Sequence, residues 1–249
     1  MLGATRQTAP DEAKDLVKNL VEQALAGTIT FDRNLSRTFS QAMAAIDRKL
    51  SEQLNAIMHH PKFTQLEGSW RGLHYLTQNS ETGAGLKIRV MNASKRDLGR
   101  DLQRAAEFDQ STLFKAIYEN EFGQAGGEPY GALIGDYEWT NHPEDVETLR
   151  LVSQISASAF APFISGVGCK MFGFESWTEL PKVRDLEMTF QSLDYAKWRS
   201  FRDTEESRFV SLVMPRTLAR LPYGAATKAI DEFAYEEAPA DAMGNAKQM

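Results

Sequence analysis

Four short runs of β pattern, set apart by stretches of helical period, constrain this chain more than any other feature. LKIRVMNA (86–93) alternates Leu86, Ile88 and Val90 with polar residues, as a half-buried strand does. YGALIGDYEW (130–139), PFISGVG (162–168) and RFVSLVM (208–214) supply three more candidate strands. Between the first two, Ser94 and Asp97 form a capping-box-like start to a helix reaching about 106, and a further helix covers about 111–122. The Gly126–Gly127 pair then turns the chain. His142-Pro143-Glu144-Asp145 opens another helix, with Leu149, Val152, Ile155 and Ala159 on its buried side. Residues 175–180 read as a short helix and 182–203 as a longer one. This order predicts an α/β fold: a layered sheet of about four strands with flanking helices, preceded by an N-terminal helical segment.

That N-terminal segment reads as three amphipathic helices. In 11–26, Leu16, Val17, Leu20, Val21 and Ala24 share a face, acids occupy the first turn and Gly27 can stop the helix. A helix of about 16 residues is marginal alone, so this one needs something to pack against. A second, about 36–58, places Phe39, Met43, Ile46, Leu50, Leu54 and Ile57 three or four apart, and Pro61 interrupts it. The third, about 62–78, repeats Phe63, Leu66, Trp70, Leu73 and Thr77. The expected organisation is a flexible N-terminus with an amphipathic helix (1–30), an α/β domain (31–224), and an acidic linker or truncated end (225–249).

Charge narrows the function classes. The 249 residues carry a formal charge of -6, yet Asp231, Glu232, Glu236, Glu237 and Asp241 crowd the last nineteen residues against one base, Lys247. The rest is nearly neutral and lacks the clustered positive charge of a nucleic-acid binder. No apolar run approaches the ~20 residues that span a bilayer. The N-terminus has no basic segment followed by an apolar core, so no secretory signal is read. A single cysteine, Cys169, excludes an internal disulfide and suits a reducing, cytoplasmic setting.

Candidate chemistry is sparse. His59, His60 and His74 lie near one another in sequence, but adjacent helical residues point about 100° apart and no metal-ligand spacing occurs. Exposed histidines at a helix end, with His74 partly buried, is the favoured reading. Cys169 in GVGCKMFG has no setting that would activate a thiolate, and the phosphate-loop pattern is absent there. Asp136 and Glu138 share a face at a strand end, where α/β enzymes often place sites. No catalytic, cofactor or metal residues are assigned. Gly68 and Gly72 are more telling: each costs roughly 1 kcal/mol inside a helix, and their spacing leaves a flat strip for a close neighbour.

LEGSWRGLHYL (66–76), GALIGDYEW (131–139) and SFRDTEESRFVSLVMPRTLARLPYG (200–224) resemble the large subunit of the type VI secretion system contractile sheath, the VipB/TssC family. The likeness runs from about residue 30 to 224, the N-terminal half of a family member. It implies a structural protein, not an enzyme. Implied partners are the small sheath subunit (VipA/TssB type), further copies of the chain, the inner tube protein (Hcp type), the baseplate and a Clp-type unfoldase ATPase (ClpV). No nucleic acid or direct membrane insertion is implied. The unfoldase of this family reads an N-terminal helix, which makes Leu16, Val17, Leu20, Val21 and Ala24 the candidate recognition face. Candidate packing residues for assembly are Gly68, Trp70, Gly72, Arg216, Arg220 and Tyr223. The alternative class is a soluble α/β enzyme with a strand-end carboxylate site at Asp136 and Glu138.

Overall fold

The computed structural model describes residues 10–25, 35–182, 184–231 and 233–237. It contains two compact units. One takes the described chain up to Tyr75 together with a return segment from Leu218; the other is Leu76–Thr217.

The Leu76–Thr217 unit holds the sheet. Strands β1 (Leu133–Trp139), β2 (Phe163–Val167) and β3 (Val210–Val213) pair in that order, all parallel. The fold is thus α/β, with three strands where about four were expected. LKIRVMNA lies in no helix, turn or ladder among the described residues. Its alternation suits it to a strand; a ladder needs a second strand as well.

Helix α4 (Lys95–Arg104) begins with the predicted box: Ser94 Oγ accepts from the Asp97 N–H (3.2 Å) and the Ser94 N–H donates to Asp97 Oδ2 (3.3 Å). Next, α5 (Thr112–Phe114) runs into a π-helical stretch, Lys115–Phe122. The Asp101 carboxylate accepts the Thr112 and Leu113 N–H groups (3.0 and 2.9 Å) at that start. Helix α6 (Pro143–Ala159) carries Leu149, Val152, Ile155 and Ala159 into the core as its period predicts, joined by Val146. At the α4–α6 contact Gly99 lies close to Thr148, where an added Cβ would sit 3.4 Å from the hydroxyl.

The span 182–203 is not one helix. It breaks into α7 (Leu186–Thr189) and α8 (Ala196–Arg202). Asp185 caps α7, and Arg199 Nη1 donates to the Phe190 and Ser192 carbonyls (both 2.6 Å), satisfying acceptors that a continuous helix would have bonded.

β1 and β2 slip out of register between Gly135↔Ser165 and Glu138↔Gly166. Ser165 settles this bulge: its hydroxyl donates to Gly135 O (2.6 Å) and accepts from buried Trp139 Nε1 (2.9 Å). Glycine suits position 135, since a Cβ would lie 2.5 Å from the Phe163 ring and force it to shift.

In the other unit lie α1 (Pro10–Leu25), α2 (Leu35–Met58) and α3 (Pro61–Gln78) up to Tyr75, and the three match the predicted helices. Thr38, Ala42 and Met58 of α2 are buried, and Tyr235 of the return segment is buried with them. The Tyr235 hydroxyl donates to Asn55 Oδ1 (2.7 Å).

Candidate assembly surfaces

The return segment is fastened to α2 and α3 by an ionic clasp. Glu67 and Arg71, one turn apart on α3, pair at 2.7 Å. Arg220 then bridges two carboxylates. Its Nε donates to Glu67 Oε1 (2.6 Å), and Nη1 and Nη2 donate to the two oxygens of Glu237 (2.6 and 3.0 Å). Its guanidinium lies 4.6 Å from the centre of the Tyr223 ring. Arg71 Nη2 donates to the Tyr223 hydroxyl (3.0 Å), and the Tyr223 N–H donates to Glu237 Oε2 (2.8 Å). His59 Nε2 lies 3.0 Å from Glu237 Oε1.

Glu237 is the centre of this arrangement, its side chain only 1% exposed. Burial pushes its carboxyl up, but the hydrogen bonds from Arg220, the Tyr223 N–H and His59 outweigh it and hold the group down at about 2. Glu67 is likewise lowered against its burial by Arg220 and Arg71. Burial, reinforced by the neighbouring Glu237 charge, pushes the Tyr235 phenol up to about 12. Both carboxylates are therefore ionised across the neutral range, and a bidentate Arg220 is what makes that tolerable in a dry setting.

The clasp gathers Arg220 and Tyr223, two of the candidate packing residues, and adds His59, Glu67, Arg71 and Glu237. Sequence reasoning passed over these because Glu67 and Arg220 are 153 positions apart and His59 and Glu237 178 apart. His59, not His74, is the enclosed histidine; His74 is exposed. A two-pronged carboxylate, with α2 on one side and Arg220 on the other, draws in the histidine that lies at the helix end. Arg216 stands elsewhere, ion-paired with Glu138 of β1 on the surface of the sheet unit.

A second kind of surface is apolar. Along α2, Met43, Ile46, Leu50 and Ile57 are exposed, Met43 by 64%. Along α3, Phe63, Leu66 and Trp70 are exposed, Trp70 by 63%. These are the faces that periodicity marks as buried, and the described chain does not cover them. The Gly68–Gly72 strip is open too: an added Cβ at either position meets nothing within 4 Å. On α1, Leu16 is exposed and Val17 half-buried; the side chains of Leu20, Val21 and Ala24 lie outside the described residues.

The remaining chemical candidates stay apart. Asp136 and Glu138 are both exposed on β1. Cys169 is half-buried, its Sγ 3.6 Å from the Glu175 carbonyl oxygen. Among the described residues no three His, Cys, Asp or Glu side chains gather as a metal site, and no helix is long and apolar enough to cross a membrane.

Exposed apolar faces on α2 and α3, beside a return segment fastened by internal ion pairs, mark an α/β protein with large candidate interaction surfaces. Residues 40–248 match the family model described as EvpB/VC_A0108, tail sheath N-terminal domain (VipB). Over 233 residues the chain is 48% identical to a type VI secretion system sheath protein, TssC1 of Pseudomonas aeruginosa, covering 93% of this chain and 47% of that relative. The chain belongs to the VipB tail sheath family, and it spans about half the length of the curated relative it matches.

Proposed function

We propose that this chain acts as the N-terminal part of the large subunit of a type VI secretion contractile sheath. In that role it pairs with the small sheath subunit, stacks with further copies around an inner tube in the cytoplasm, and contracts to drive effectors outward from a baseplate. The work is mechanical, a switch between two packings of the same subunits that differ in interface free energy. The observation that carries the proposal is the uncovered apolar face of α3, with Trp70 exposed beside the open Gly68–Gly72 strip, in a chain of the sheath family. Such a strip admits a close helical or strand neighbour from another subunit.

Helix α1 serves as the element read by a Clp-type unfoldase when the sheath is spent, through Leu16, Val17, Leu20, Val21 and Ala24. The exposure of Leu16 supports this role. Co-expression with the small sheath subunit tests the main proposal: a stable complex is expected on affinity purification, and Leu66→Ser plus Trp70→Ser weakens it. Two independently folded, non-associating proteins would refute it. For α1, Leu16→Asp plus Leu20→Asp abolishes unfoldase capture in a pull-down while the complex with the small subunit persists; unchanged capture excludes that face.

A further inference from the structure

Residues 86–93 carry the alternation of a strand but stand outside the sheet. They belong to no helix or turn and, between the Gly83 N–H bond to Leu86 O (3.0 Å) and the cap of α4, make no backbone-to-backbone hydrogen bond among the described residues. Yet the segment is held firmly on one side. Lys87 pairs with Glu128, and Arg89 pairs with both Glu121 and Glu128, the latter at 3.0 Å. The Arg89 guanidinium also lies 5.6 Å from the Tyr130 ring centre. Glu121, within the π-helical stretch, in turn accepts the Glu128 N–H (2.9 Å), which links the two carboxylates. At the far end, the Tyr137 hydroxyl donates to the Ala93 carbonyl (2.8 Å) and ties the segment to β1.

The consequence follows from period two. With Lys87 and Arg89 both drawn to Glu121 and Glu128, a period of two would turn Leu86, Ile88 and Val90 the opposite way. Leu86 is 45% and Val90 68% exposed, and Ile88 is half-buried. Edge strands are ordinarily blunted by charges turned outward. Here Lys87 and Arg89 are paired with Glu121 and Glu128, which leaves Leu86 and Val90 exposed beside backbone groups that make no backbone hydrogen bond among the described residues. That is the template for strand addition.

We propose that residues 86–93 accept one added β-strand, supplied by the part of the full-length sheath subunit that follows the tail sheath N-terminal domain. The matched family model is an N-terminal domain, and more than half of the P. aeruginosa relative lies outside the match. The sheet unit also leaves Ile134 of β1 and Val213 of β3 exposed, whereas all-parallel sheets are covered on both faces. A unit this incomplete is finished by a permanent neighbour, and a segment of the same subunit is one. The incoming strand carries apolar residues at every second position to meet Leu86, Ile88 and Val90.

The test joins the unmatched half of the P. aeruginosa relative to the C-terminus of this chain and measures amide hydrogen exchange in both proteins. Alternate amides between Lys87 and Asn92 exchange at least about 100-fold more slowly in the fusion than in the chain alone. The β2 amides are slow in both and report an intact sheet. In the fusion, Val90→Pro returns the slowed amides to the fast rate, while Val90→Thr keeps them slow. Fast exchange in the fusion with β2 protected overturns the proposal. So does protection of the chain alone that grows with its concentration, which would make the partner a second copy. Protection that requires the small subunit without the added half overturns it as well. None of these outcomes depends on tube formation, so the assembly reading stands or falls separately.

Discussion

Removing Arg220 tests the clasp most severely. In Arg220→Ala, Glu67 loses two hydrogen bonds (2.6 and 3.3 Å) and keeps Arg71, while Glu237 loses two (2.6 and 3.0 Å) and keeps only the Tyr223 N–H and His59. The surviving Glu237 carboxylate, 1% exposed in the intact protein, is left without its bidentate partner. Breaking a buried pair from one side costs about 3–5 kcal/mol, against 0–1 kcal/mol for a solvated pair. The reporter is amide exchange at Glu237, whose N–H donates to Tyr223 O (2.9 Å) and is released when the segment lifts. At about 1.4 kcal/mol per decade, its exchange accelerates roughly 10²–10⁴-fold. In Arg220→Ala plus Glu237→Gln the loss is smaller than the sum of the two single losses, because no buried charge is stranded. Acceleration below about fivefold, or strict additivity, would refute the clasp as a buried, coupled unit.

Three further outcomes follow from the same geometry. Glu237 has a folded value of about 2 against an ordinary 4.5, so its contribution is complete above about pH 4.5 and is lost as the pH falls toward 2; in acid titration followed by exchange at Tyr223, Glu237→Gln flattens that loss. Gly135→Ala forces a Cβ to 2.5 Å from the Phe163 ring and lowers the urea-unfolding stability of the sheet unit by about 1–3 kcal/mol; a neutral effect would contradict the tight β1–β2 contact. Gly68→Ala plus Gly72→Ala meets no atom outside its own helix among the described residues and stabilises α3 by roughly 1 kcal/mol per site, yet weakens capture of the small subunit. Thermal melts and pull-downs on the same variant separate the two effects, and undiminished capture would show the strip is not an interface.

What was legible in the sequence was local. The Ser94–Asp97 box and the Leu149, Val152, Ile155, Ala159 stripe of α6 arise from contacts three or four residues apart, and both stand in the structure. The family was legible from the long block at 200–224. The clasp was not, because no period links residues of α2 and α3 to Arg220 and Glu237 across more than 150 positions. The stretch at 182–203 misled by its composition: Asp185 and Arg199 offer the backbone local bonds that compete with a continuous helix. The pattern at 86–93 reads as a half-buried strand and the stripes of α2 and α3 as apolar packing faces, because periodicity reports what a face is suited to. It does not report which polypeptide supplies the cover.

Electron microscopy directly tests the proposed role, a structural sheath subunit whose open faces are closed by other polypeptides. This chain fused to the unmatched half of the P. aeruginosa relative is co-expressed with the small sheath subunit, and compared with the unfused chain and the small subunit. Helical tubes with the fusion, and none with the unfused chain, are the predicted result. Regular tubes from the unfused chain, or a folded fusion that pairs with the small subunit yet forms no tubes, would contradict the account.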